Sequence, residues 1–77
     1  MTTPATVDVP GQTVSLGGTT YKIQPLAEDT FTVLVEGVPV GRIVYTWGAA
    51  NGVAESETVT EDTMYAIAEA WFGATGA

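Results

Sequence analysis

The stretch TFTVLVEGVPVGRIVYTW, residues 30–47, decides how the rest of the chain is read. Its first half alternates: Phe31, Val33 and Val35 fall on one face and Thr30, Thr32 and Glu36 on the other, with Leu34 the exception. Strict period-two alternation marks a strand with one buried face. Glu36-Gly37 then reads as a turn, because Gly37 can take the positive φ that the tight turns of hairpins need. Residues 40–47 follow as a β-branched and aromatic run, the composition of a strand. Both faces of that run are largely apolar. This suits a central strand covered by a helix on one side and by a partner or an arm on the other.

Upstream, residues 12–16 alternate Val14 and Leu16 with polar side chains, and Gly17-Gly18 fits the two positions of a tight hairpin. Residues 19–26 resume the pattern with Tyr21 and Ile23 on one face. Pro25 restricts this second strand to an edge or an early end, since it has no N–H to donate to a ladder. Ala27, Glu28 and Asp29 make the next turn. Residues 1–11, MTTPATVDVPG, hold two prolines and three threonines and alternate only through Val7 and Val9. They read as an arm that is flexible or extended until something binds it.

Downstream, Asn51-Gly52 is the strongest two-residue hairpin signal in the chain, and residues 53–59 are expected to return as a last strand. Gly48-Ala49-Ala50 is a poor strand composition. Thr58-x-x-Glu61 fits a capping box, with Thr60 an alternative N-cap, and Glu61 and Asp62 suit the first helical turn. Met64, Ile67, Ala68 and Trp71 follow at i, i+3, i+4 and i+7, Tyr65 and Phe72 widen the stripe, and Gly73 is placed to cap the C-terminus. Glu61, Asp62 and Glu69 make the exposed edge. A helix of about a dozen residues is unstable alone and must dock on the sheet. The fold expected is α+β, an antiparallel sheet of four or five strands with one C-terminal helix packed across it. The single domain occupies residues 12–73 between the arm and a short tail, 74–77.

Composition narrows the chemistry. The chain has 77 residues, nine acids, two cations and no cysteine or histidine, for a net charge of −7. A chain this short makes one domain, and it buries only about 60% of the surface its unfolded form exposes. With neither disulfides nor the usual zinc ligands to add stability, self-association is an expectation. Lys22 and Arg42 alone cannot hold a phosphate backbone, so direct nucleic-acid binding and anionic membrane surfaces are excluded as partners. Protein partners are expected, basic where they are charged. The start lacks a positively charged region and an apolar run, and nowhere do 18 apolar residues follow one another, so neither a cleavable export signal nor a membrane span is expected.

Catalysis is tested by subtraction. No Ser-His or Cys-His pair can exist, and no glycine-rich loop carries the lysine that phosphate chemistry needs. Carboxylates are the one catalytic resource present in quantity, with Glu55, Glu57, Glu61 and Asp62 inside eight residues. Acid/base work by such a pair needs a buried cleft, and a calcium loop needs a spacing that this string lacks. No cofactor, no metal and no enzymatic activity are expected. The four acids remain as a surface that a basic partner can meet, its approach hastened by electrostatic steering. Tyr45 and Trp47 are the other candidate contact residues. They share a face opposite Val44, and one helix covers only one face of the strand.

Residues 33–47, with the motif Gly37-Val38-Pro39-Val40-Gly41-Arg42-Ile43 and the capped helix ending in an aromatic and a glycine, resemble short sheet-plus-helix proteins of actinobacteria and their phages. The similarity spans roughly residues 19–73. It implies a phage-type accessory protein, made without disulfides in the bacterial cytoplasm or built into a particle. Three binding roles follow as expectations. The chain is an accessory or inhibitor acting on a host protein, a virion or assembly protein reaching a neighbour with its arm, or an acidic mimic of DNA.

Overall fold

The computed structural model describes residues 5–76. Six strands run in chain order, β1 (Thr6–Asp8), β2 (Thr13–Leu16), β3 (Thr19–Ala27), β4 (Thr30–Val35), β5 (Val38–Thr46) and β6 (Ala49–Ala54), and one helix follows, α1 (Glu61–Thr75). Every strand pairs antiparallel with its successor, giving the order β1-β2-β3-β4-β5-β6. The helix backbone lies against β1 and β2 at one flank and β5 and β6 at the other, so the sheet curls around it as a half-barrel. The α+β expectation is met, and the strand count is corrected to six.

Two parts of the chain account for that correction. Within the stretch read as an arm, Thr6–Asp8 pairs with β2, setting Val7 opposite Val14, and Val7 packs on the core. The Lys22 ammonium donates to the Gly11 carbonyl at 3.1 Å and holds the connection down. Only one inward side chain marks this strand, too few for a periodic signal. Residues 1–4 lie outside the described residues. The second correction concerns the last hairpin: the chain turns at Trp47-Gly48, and Asn51-Gly52 lies inside β6. Gly52 serves a different need here, since a Cβ there would overlap the backbone of Met64. Gly41, diagonal to it on β5, would collide with the Met64 thioether. The two glycines form a trough that lets the helix approach, a use of strand glycine distinct from turning.

Pro25 sits in the third of six strands without breaking the ladder. The Ile23 N–H bonds to the Gln12 carbonyl at 2.8 Å, where β2 begins, and Pro25 lies two residues further, beyond the reach of β2. Its missing N–H therefore faces an unpaired flank. A register shift between Val33 and Leu34 inserts Val40 as an extra residue on β5, leaving Val40 and Gly41 both buried. Concave-face side chains Val14, Tyr21, Ile23, Val33, Val40 and Ile43 meet Met64, Ile67, Ala68, Trp71 and Phe72 of the helix, and no polar side chain is buried among the described residues.

The helix starts at the alternative cap. Thr60 Oγ1 accepts from the Thr63 N–H at 3.1 Å, while Thr58 is engaged locally with Ser56. It also runs past Gly73. The stop is Gly76, left-handed at φ 77°, whose N–H donates to the Phe72 carbonyl at 3.1 Å. Gly73 keeps helical backbone, Ala74 and Thr75 extend the helix, and the Thr75 hydroxyl donates to the Trp71 carbonyl at 3.0 Å. None of the described helices is long and apolar enough to cross a membrane.

Candidate functional site

The six residues singled out from sequence do not form one site. Tyr45 points inward from β5, half-buried, its ring 5.2 Å from that of Phe72. Trp47 is 99% exposed. Grouping the two on one face assumed that both belong to the strand, yet β5 ends at Thr46 and Trp47 is the first turn residue. The face opposite Val44 is the one the helix covers, and Tyr45 takes it.

The acids are spread around the helix N-terminus. Glu55 Oε2 lies 3.1 Å from Arg42 Nε in an ion pair with both side chains nearly half exposed. Glu57 stands in the connection to the helix, and Glu61 and Asp62 occupy its first turn, all exposed. All nine acids of the chain are exposed. Among the described residues, no group of three potential ligands comes together to hold a metal. Both cations, Lys22 and Arg42, lie on the convex face of the sheet, whereas the acids sit in the connections and on the helix, except Asp8 at the end of β1.

Trp47 is held in an unusual place. It and Gly48 form the two-residue β5–β6 turn with φ values of 55° and 79°. The same pattern closes the Gly17-Gly18 and Glu36-Gly37 hairpins, where glycine again fills the second position. A left-handed backbone disfavours side chains beyond Gly, Asn and Asp by about 1–2 kcal/mol per residue, and a bulky residue there is an outlier. Nor does the fold gain from the ring, which touches no core. Neither turn geometry nor packing calls for tryptophan at 47. The signal that locates it is the recurrence of X-Gly after β2, β4 and β5, as Gly17-Gly18, Glu36-Gly37 and Trp47-Gly48.

Beside this turn opens a shallow cavity of about 220 Å³, lined by Tyr45, Gly48, Ala50, Glu69, Phe72 and Gly73. Two aromatic rings wall it, three residues with little or no side chain leave it open, and Glu69 supplies its one carboxylate. Phe72 is core as its helical spacing predicts, and Gly73, expected to stop the helix, lines the opening beside it. Below, Phe31 packs edge-on against Trp71 and Phe72 at 5.9 and 5.6 Å between centroids. The buried Nε1 of Trp71 has no acceptor among the described residues. The chain matches no protein-family model, no curated protein and no solved structure.

Proposed function

We propose that this chain is a non-enzymatic protein-binding module whose principal contact is Trp47 at the tip of the β5–β6 hairpin. The observation that carries the reading is a wholly exposed tryptophan in left-handed backbone. Strain of this kind, uncompensated within the fold, is characteristic of functional positions. Tryptophan is also the residue type most enriched among the side chains that dominate binding energy. The exposed acids Glu57, Glu61 and Asp62 add a negative field that favours a basic partner. Their exposed positions suit contact with a partner. The partner class favoured by the sequence resemblance is a host protein met by a phage accessory protein. The hairpin is preferred to the arm as the contact because Thr6–Asp8 already occupies the edge of its own sheet.

Immobilised wild-type chain and Trp47→Asn, each exposed to an extract of the cells that make it, test this reading. Proteins retained by the wild type are expected to be lost from Trp47→Asn, by at least about 30-fold in affinity if the anchor is worth about 2 kcal/mol. They are expected to persist on Glu57→Gln and Asp62→Asn at raised salt, where surface charge is screened. Retention unaffected by Trp47→Asn would overturn the assignment.

A further inference from the structure

The depression beside Trp47 has a volume of about 220 Å³ and is open to solvent, so it offers a ring a wall to lie against rather than an enclosing pocket. Trp47 does not enter its own cavity although its neighbour Gly48 lines it, because the left-handed turn holds the side chain in solvent. An exposed knob therefore stands next to an open depression on the same surface. That is the arrangement a two-fold contact requires, since each copy then supplies both halves and the assembly closes.

Charge restricts which surfaces two copies can share. Each carries −7, so association is favoured only where like charges stay apart. Residues 43–54, between Arg42 and Glu55, hold no charged side chain, and they are the end of β5, the Trp47 turn and β6. The cavity has one charged group, Glu69, an acceptor; Trp47 has one polar atom, the Nε1–H, a donor. A bond between them would be charge-assisted, and the half-buried Tyr45 offers ring surface to the indole, whereas Phe72, 3% exposed, adds little.

We propose that two copies of this chain associate about a two-fold axis, each placing Trp47 against the cavity wall of the other at Tyr45 and Gly73, with Nε1–H on Glu69. This deepens the binding role assigned to Trp47 and rests on it. Each indole buries at most about 150–250 Å², and the shallow lining it meets adds less, so the exchange removes well under the total of about 1,200–2,000 Å² found for stable complexes. The dimer is accordingly weak and rapidly exchanging, and it populates at high concentration.

Sedimentation equilibrium on the full chain from about 10 μM to about 1 mM reads the association directly. For the wild type, the mean mass is expected to rise from 8.0 kDa toward twice that value. Trp47→Asn, which installs a favoured turn residue, is expected to stay monomeric. So is Gly73→Leu, which leaves Trp47 intact. Gly73 is helical with nothing within 4 Å of an added Cβ, so leucine is accommodated and fills the cavity. Each substitution should weaken association at least tenfold. A wild type that is monomeric at about 1 mM, or a Gly73→Leu chain that associates as the wild type does, would overturn the inference. If the wild type is monomeric while Trp47-dependent retention of another protein persists, self-association fails and the binding role stands. If Trp47→Asn alters neither, both fail.

Discussion

Replacing Trp47 by asparagine should make the isolated fold more stable, not less. The side chain is 99% exposed, so its removal forfeits no buried area in the monomer. Its backbone φ of 55° is one that asparagine tolerates through local hydrogen bonding and that other L-residues occupy at about 1–2 kcal/mol. Asn-Gly is also the preferred pair for this hairpin turn. The expected gain is about 1 kcal/mol, equivalent to a rise of about 4–8 °C in Tm for a domain of this size. Urea unfolding followed by far-UV circular dichroism, at concentrations where the chain is monomeric, measures it. The midpoint should rise at constant slope, because the area exposed on unfolding barely changes. Fluorescence supplies a control: Trp71 is 3% exposed, so Trp47→Asn should remove the long-wavelength component and leave the buried emitter. Destabilisation by about 1 kcal/mol or more would mean that Trp47 packs on its own fold, and the argument from an unrewarded strain would collapse.

Three further outcomes follow from the packing. Gly52→Ala places a methyl in the backbone of Met64, and calorimetry should record a loss of about 1–3 kcal/mol or more as the helix is pushed from the sheet; an unchanged Tm would contradict the glycine trough. Thr60→Ala removes the acceptor of the Thr63 N–H and should cost about 1 kcal/mol by urea unfolding, whereas Thr58→Ala should cost less because Thr58 does not cap the helix. Glu55→Gln breaks an ion pair between half-exposed groups, and the change should stay below about 1 kcal/mol and vanish in high salt.

The strands that alternate were legible in the sequence. Residues 13–16, 19–27 and 30–35 combine inward β-branched or aromatic positions with X-Gly turns, and the local and tertiary demands on them agree. The helix was legible for the same reason, through its apolar stripe and its Thr60 cap. Between 47 and 54, local and tertiary demands part. Asn51-Gly52 has the chemistry of a turn, but the helix needs a bare backbone at 52, and the contact lies twelve residues away at Met64. Trp47 has the chemistry of a strand residue and stands in a turn. No propensity foretells that, because the position is occupied against propensity, and such conflicts collect at functional sites. The cavity beside Trp47 was illegible for a different reason: it joins β5, β6 and the last turns of α1, and only the docking of the helix brings Tyr45, Glu69 and Gly73 together. The acids were read as one patch from their closeness in sequence, yet Glu55 turns to Arg42 while Glu61 and Asp62 follow the helix.

Site-specific photo-crosslinking inside the producing cells tests the binding role of Trp47 most directly, with a benzophenone side chain placed at position 47 in one chain and at position 57 in another. Adducts forming from 47 and absent or sparse from 57 are the expected result, and their masses separate a second copy of the chain from another protein. Adducts forming from 57 with none from 47 would contradict the assignment of the β5–β6 tip and return the contact to the acidic approach to the helix.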